Sequence, residues 1–122
     1  MLTENIMNQK EFDAHLKWRM EEIRKGLGVK AKEYVRNDNP LHNFEAGAGI
    51  TGETSAKVLD GFLLKHLISY RDILNDLENG KLPETEKVQE KLGDIINYFI
   101  LQEGLLYDTI NKRARAEEGI VS

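Results

Sequence analysis

Apolar residues recur along this chain at intervals of three and four, and clusters of turn-forming residues cut the pattern into segments. Asn8 and Glu11 have the spacing of a capping box, and Phe12, Leu16, Met20, Ile23 and Leu27 follow, so the spacing predicts a first amphipathic helix near residues 9–25. Gly26 and Gly28 end or bend it, because glycine is costly inside a helix and favoured just past one. A short helical piece over 29–36 is expected next, and Asn37-Asp38-Asn39-Pro40 stops it, since the residue before proline is pushed out of the helical region. Residues 41–52 carry no clear period. Thr54 caps a second main helix near 54–78, built on Leu59, Leu63, Leu67, Leu74 and Leu77 and closed by Asn79-Gly80. Pro83, Glu84 and Glu86 open a last helix near 84–115, with Lys112, Arg113 and Arg115 suited to its negative end.

No strand alternation of useful length and no internal repeat is present, so the expected fold is all-α. It is a small bundle of three main helices plus a short one, forming a single domain over 1–122. The last helix carries Val88, Leu92, Ile95, Ile96, Phe99, Ile100, Leu105 and Leu106 over much of its surface, which calls for contact on more than one side. A chain of 122 residues has limited apolar surface with which to supply that contact, so a homodimer is expected.

Composition narrows the picture. Cysteine is absent, which removes disulfides and thiolate metal sites. The first thirty residues are broken by Glu4, Lys10, Glu11, Asp13, Lys17 and Arg19, and no apolar run reaches membrane-spanning length, so a cytoplasmic protein without a membrane partner is expected. Acidic residues exceed basic ones by 21 to 17, which disfavours duplex nucleic acid as a partner.

Gly47-Ala48-Gly49-Ile50-Thr51-Gly52 matches a dinucleotide-binding fingerprint in letters only, for no strand precedes it and no βαβ unit surrounds it; a flexible or capping glycine cluster is the better reading. His15, His42 and His66 are dispersed, so no zinc site or hydrolase triad is readable. Two polar stripes carry more information: Lys65, Ser69 and Asp72 share a face of the second helix, and Glu90, Asp94 and Asn97 share a face of the last. Glu90 and Asp94 repel each other at i, i+4 unless a cation lies between them, and carboxylates with other oxygen ligands suit Mg²⁺. Solvated charge opposite an apolar face explains the same stripes, and periodicity alone favours that simpler account.

The segments Glu33-Tyr34, Asp38, Leu41-His42-Asn43-Phe44, Gly61 to Asp72 and Glu90 to Tyr98 occur in an order that resembles a family common in phages and prophages, the nucleotide modification associated domain 1 family (DUF1599). The similarity spans residues 30–107, and that family is in turn distantly similar to the MazG-like all-α nucleoside triphosphate pyrophosphohydrolases. The resemblance implies a Mg²⁺-dependent hydrolase acting on a nucleotide or modified nucleotide. Glu90 and Asp94 would be the catalytic carboxylates and, with Asp72, the metal ligands, while Lys65, His66, Asn97, His42, Asn43 and Phe44 would contact substrate. Departures are visible: the acids are four residues apart in Glu90-Lys91-Leu92-Gly93-Asp94, and the preceding helix offers Lys65, His66, Ser69 and Asp72 in place of an E-x-x-E pair. The alternative is a non-catalytic helical phage accessory protein that binds a nucleotide or a protein partner.

Overall fold

A computed structural model of the chain describes residues 6–29 and 39–121, and among these it is all-α, with four helices and no strand. Helix α1 spans Gln9–Arg24, and Asn8 caps it by accepting a 2.8 Å hydrogen bond from the Glu11 amide. A wide turn, Lys25–Val29, follows, and Gly28 leaves helical geometry there with φ −96 and ψ −109, as the two glycines predict. The remainder of the short helix expected over 29–36 lies outside the described residues.

Helix α2, His42–Thr51, occupies the stretch in which the sequence shows no period. Two devices form it. The Asn39 carboxamide accepts from the Leu41 amide at 3.0 Å and donates to Glu45 at 2.9 Å, which locks the entry, and Gly52 ends it in the left-handed region with φ 78. The glycine cluster is therefore the second half of a helix and its cap. A further reason for glycine appears at Gly47, where an added Cβ would stand 2.8 Å from Val58 Cγ1, so α2 packs close against the next helix.

Helix α3, Ser55–Glu78, begins where Thr54 accepts from the Lys57 amide. It stops with paired bonds from Gly80 to the Leu77 carbonyl and from Lys81 to the Asp76 carbonyl, and the φ of 81 at Gly80 is what that closure needs. Helix α4, Thr85–Val121, outruns the expected end near 115, so Lys112, Arg113 and Arg115 lie before its final turn and do not complement its terminus. Lys112 instead pairs with Asp108 at 2.9 Å. At 37 residues α4 is about 55 Å long, against about 36 Å for the 24 residues of α3.

Helices α3 and α4 run antiparallel: Gln102 donates to the Ala56 carbonyl at one end, and His66 meets Asp94 farther along. Phe44 of α2, Leu59 of α3 and Leu105 of α4 form the core, with Leu41, Ala56, Val58, Tyr98 and Leu101 packed around them. Helix α1 buries no residue of its own and docks on α4 through Arg19, which donates to the Gln89 carbonyl at 3.1 Å. The same guanidinium lies over Gly93, where a Cβ would come within 2.7 Å of it, and beneath it the Trp18 ring sits 4.5 Å away. No described helix is long and apolar enough to cross a membrane.

Candidate functional site

Antiparallel packing decides which polar groups can meet. Two of the expected substrate contacts, Asn43 and Lys65, line one hollow of about 450 Å³ between α2 and α3. Lys57 lines it too, and because Lys57, Gly61 and Lys65 succeed one another at intervals of four they share a face of α3, the Cα atoms of the two lysines standing about 12 Å apart along the axis. Phe62, 43% exposed, presents its ring to the hollow between them, while Ile50 and Val58 supply apolar wall and Glu53 one counter-charge. The hollow thus combines an aromatic surface, a carboxamide and two cations against one acid. Its volume is that of an ordinary small-molecule site.

Phe44, expected to stack on a base, is 7% exposed and belongs to the core. Its edge is turned against Phe62 at 5.9 Å and Tyr98 at 6.3 Å, so it supports the aromatic wall from behind. Phe62 and Lys57 were not singled out in the sequence. The repeat Lys57, Lys65 was legible as a basic row, but Phe62 stands just off the main apolar line of α3 and gives no signal of its own.

His66, one residue beyond Lys65, turns instead toward α4. Its Nδ1 lies 3.5 Å from Asp94 Oδ2, and its ring is 5.0 Å from that of Tyr98, which stacks at 3° on Phe62. Burial and, second, the Asp94 carboxylate push the Tyr98 hydroxyl above its ordinary pKa. The remaining residues are scattered. His42 opens α2 and is half-buried without lining the hollow, and its amide donates to the Asn39 carbonyl. Asn97 lies against Gly26 at the end of α1, its Oδ1 buried without a hydrogen-bond partner, and does not reach the hollow.

The three expected metal ligands do not converge. Asp72 lines a separate hollow of about 270 Å³ together with Ser69, Asp76, Lys87 and Lys91. Glu90 is exposed, and Asp94 is engaged by His66. Among the described residues no group of three or more His, Asp or Glu side chains stands close enough to hold a metal ion. The described donor groups of a single chain therefore do not assemble a Mg²⁺ centre.

Compared with known proteins, the chain matches no family model, no curated protein and no solved structure.

Proposed function

We propose that the protein binds a nucleotide in the hollow between α2 and α3. One observation carries this reading: Asn43, Phe62, Lys57 and Lys65, drawn from two helices, face the same 450 Å³ space. A purine or pyrimidine has an apolar face suited to Phe62 and hydrogen-bonding edges suited to a carboxamide, which both donates and accepts. The phosphates would meet Lys57 and Lys65, each contributing charge-assisted contacts. The resemblance of residues 30–107 to phage proteins of nucleotide modification agrees with such a ligand. Because the described carboxylates of one chain do not assemble around a common point, the hollow supports binding in preference to Mg²⁺-assisted hydrolysis.

A second reading, nucleotide hydrolysis, draws on the His66 and Asp94 pair. A carboxylate that orients an imidazole is the arrangement of a general base, and His66 is carried on the same helix as Lys65.

Equilibrium titration of labelled nucleoside triphosphates tests the first reading. Lys65→Ala and Lys57→Ala should each weaken binding by about tenfold or more, because a contact to a charged group contributes roughly 1.5–3 kcal/mol. Phe62→Ala should also weaken it, whereas Glu90→Gln should leave it unchanged. No binding at millimolar nucleotide, or equal affinity in all four variants, would refute the proposal. Pyrophosphate release by the wild type that is lost in Asp94→Asn would favour the second reading.

A further inference from the structure

Lys57 and Lys65 stand at opposite ends of the hollow between α2 and α3. The chain reverses between the two helices at Gly52 to Thr54, so Thr51 and Glu53 belong to the Lys57 end, while the contact of Phe44 with Phe62 sets Asn43 at the end that holds Phe62 and Lys65. Neither lysine forms an ion pair with a described residue. Glu53 is the one acid among the residues that line the hollow, which leaves the Lys65 end the more positive. Gly61 lies midway, about 6 Å along the axis from each lysine, and a Cβ added there would meet nothing within 4 Å. Glycine is costly inside a helix, and here, unlike at Gly47, no neighbouring helix requires it. Its effect is a strip of bare backbone between two cations, with the Phe62 ring alongside.

We propose that the ligand of this hollow is a nucleotide with phosphates on both sides of its sugar, either a free 3′,5′-bisphosphate or a residue inside a single strand. This arrangement rests on the hollow being a nucleotide site, and it specifies where the phosphates lie. A base laid on Phe62 sits between the two lysines. Phosphate on one side of the sugar then meets one lysine and leaves the other unmatched. Phosphates on both the 3′ and 5′ oxygens meet one lysine each, with the sugar over Gly61, where any side chain would take its space. A 5′-triphosphate carries similar charge on one side only, and it bridges both lysines at the expense of overlap between base and ring. Sites for single-stranded nucleic acid combine the same parts, an aromatic platform for the base and cations that follow the backbone. A ligand with one phosphate group goes to Lys65, the more positive end.

Equilibrium titration with the nucleoside 3′,5′-bisphosphate, 5′-triphosphate and 5′-monophosphate of each common base tests this, with a short single-stranded oligonucleotide alongside. For the preferred base the bisphosphate should bind at least about tenfold more tightly than the triphosphate. Lys65→Ala should weaken both the monophosphate and the bisphosphate by about tenfold, whereas Lys57→Ala should weaken the bisphosphate alone. Phe62→Ala should cost the bisphosphate more than the triphosphate. Gly61→Leu should keep its helicity by circular dichroism, because its Cβ meets nothing, yet bind the bisphosphate at least about tenfold less tightly. For the oligonucleotide, two phosphate contacts should give a slope of about −1.4 in the logarithm of affinity against that of salt, and about −0.7 in either lysine variant. A strand that binds more tightly than the free bisphosphate identifies the strand as the source, the reverse order identifies the free nucleotide, and both support the arrangement. A triphosphate that equals the bisphosphate would overturn the proposal and leave the nucleotide site standing. Lysine variants that weaken the monophosphate equally would do the same, because both cations would then meet one phosphate group. No binding of any nucleotide would overturn the site and the arrangement together.

Discussion

Alanine placed at Gly47 and at Gly49 should have opposite effects on stability, although the two glycines lie two residues apart in α2. In each case the helix gains propensity, and for glycine to alanine this is worth about 1 kcal/mol. At Gly49 nothing lies within 4 Å of the new Cβ, so the gain is kept. At Gly47 the Cβ would stand 2.8 Å from Val58 Cγ1 and 3.6 Å from Val58 Cγ2, closer than carbon atoms pack. Val58 cannot swing aside, because a β-branched side chain in a helix has one strongly preferred rotamer. Either α2 lifts from α3 or the rotamer strains, and such overpacking costs about 1–3 kcal/mol. The net expectation is a loss of about 1 kcal/mol for Gly47→Ala and a gain of up to about 1 kcal/mol for Gly49→Ala. For a domain of this size the two melting temperatures should differ by about 5–10 °C. Thermal melts followed by circular dichroism measure this, and Val58→Ala should rescue Gly47→Ala in a double-mutant cycle. If Gly47→Ala is as stabilising as Gly49→Ala, α2 does not rest on α3 in this register, and the hollow that Gly47 helps to line loses its basis.

Leu59→Ala should cost about 2–5 kcal/mol by chemical denaturation, since Leu59 is fully buried at the centre of a small core. Gly93→Ala should displace the Arg19 guanidinium from its seat, raising proteolysis within α1 while changing the melting temperature of the remainder little, because α1 buries no residue. In the folded protein Tyr98 holds its proton above the ordinary pKa of 10.0, so folding stability should fall as pH rises from about 10 toward the folded value. Ultraviolet titration of Asp94→Asn should show a smaller upward displacement that burial still maintains.

Helices α1, α3 and α4 were legible because each advertises itself twice, by apolar period and by a cap or stop: Asn8 and Gly28, Thr54 and Gly80, Pro83. Helix α2 was not legible, because its apolar residues are few and its glycines read as a loop. Only tertiary packing against Val58 makes Gly47 an asset inside a helix. The end of α4 was not legible because Lys112, Arg113 and Arg115 mimic a terminal turn, while Ala116, Glu117 and Glu118 are good helix formers that carry the helix past them. At the candidate site, a one-helix view placed Lys65 and Asp72 on a single stripe, yet the antiparallel neighbour divides that stripe between two hollows, one with Asn43 and one with Lys87 and Lys91. Phe44, expected at the ligand, lies in the core and Phe62 lines the hollow instead, because periodicity does not tell which of two aromatics in contact faces inward.

The order of the helices also bears on how fast the molecule assembles. Helix α2 meets α3 across the short bend at Gly52 to Thr54, and α3 meets α4 across the turn at Asn79 to Glu84, so the principal contacts join neighbours along the chain. Folds of such low contact order reach the native state in roughly microseconds to milliseconds, because little loop entropy is lost before contacts form. The exception is the Arg19 contact with Gln89, which closes a span of 70 residues. That closure should come last in folding and be the first to open, so amide exchange in α1 should outpace that in α3 by orders of magnitude under native conditions.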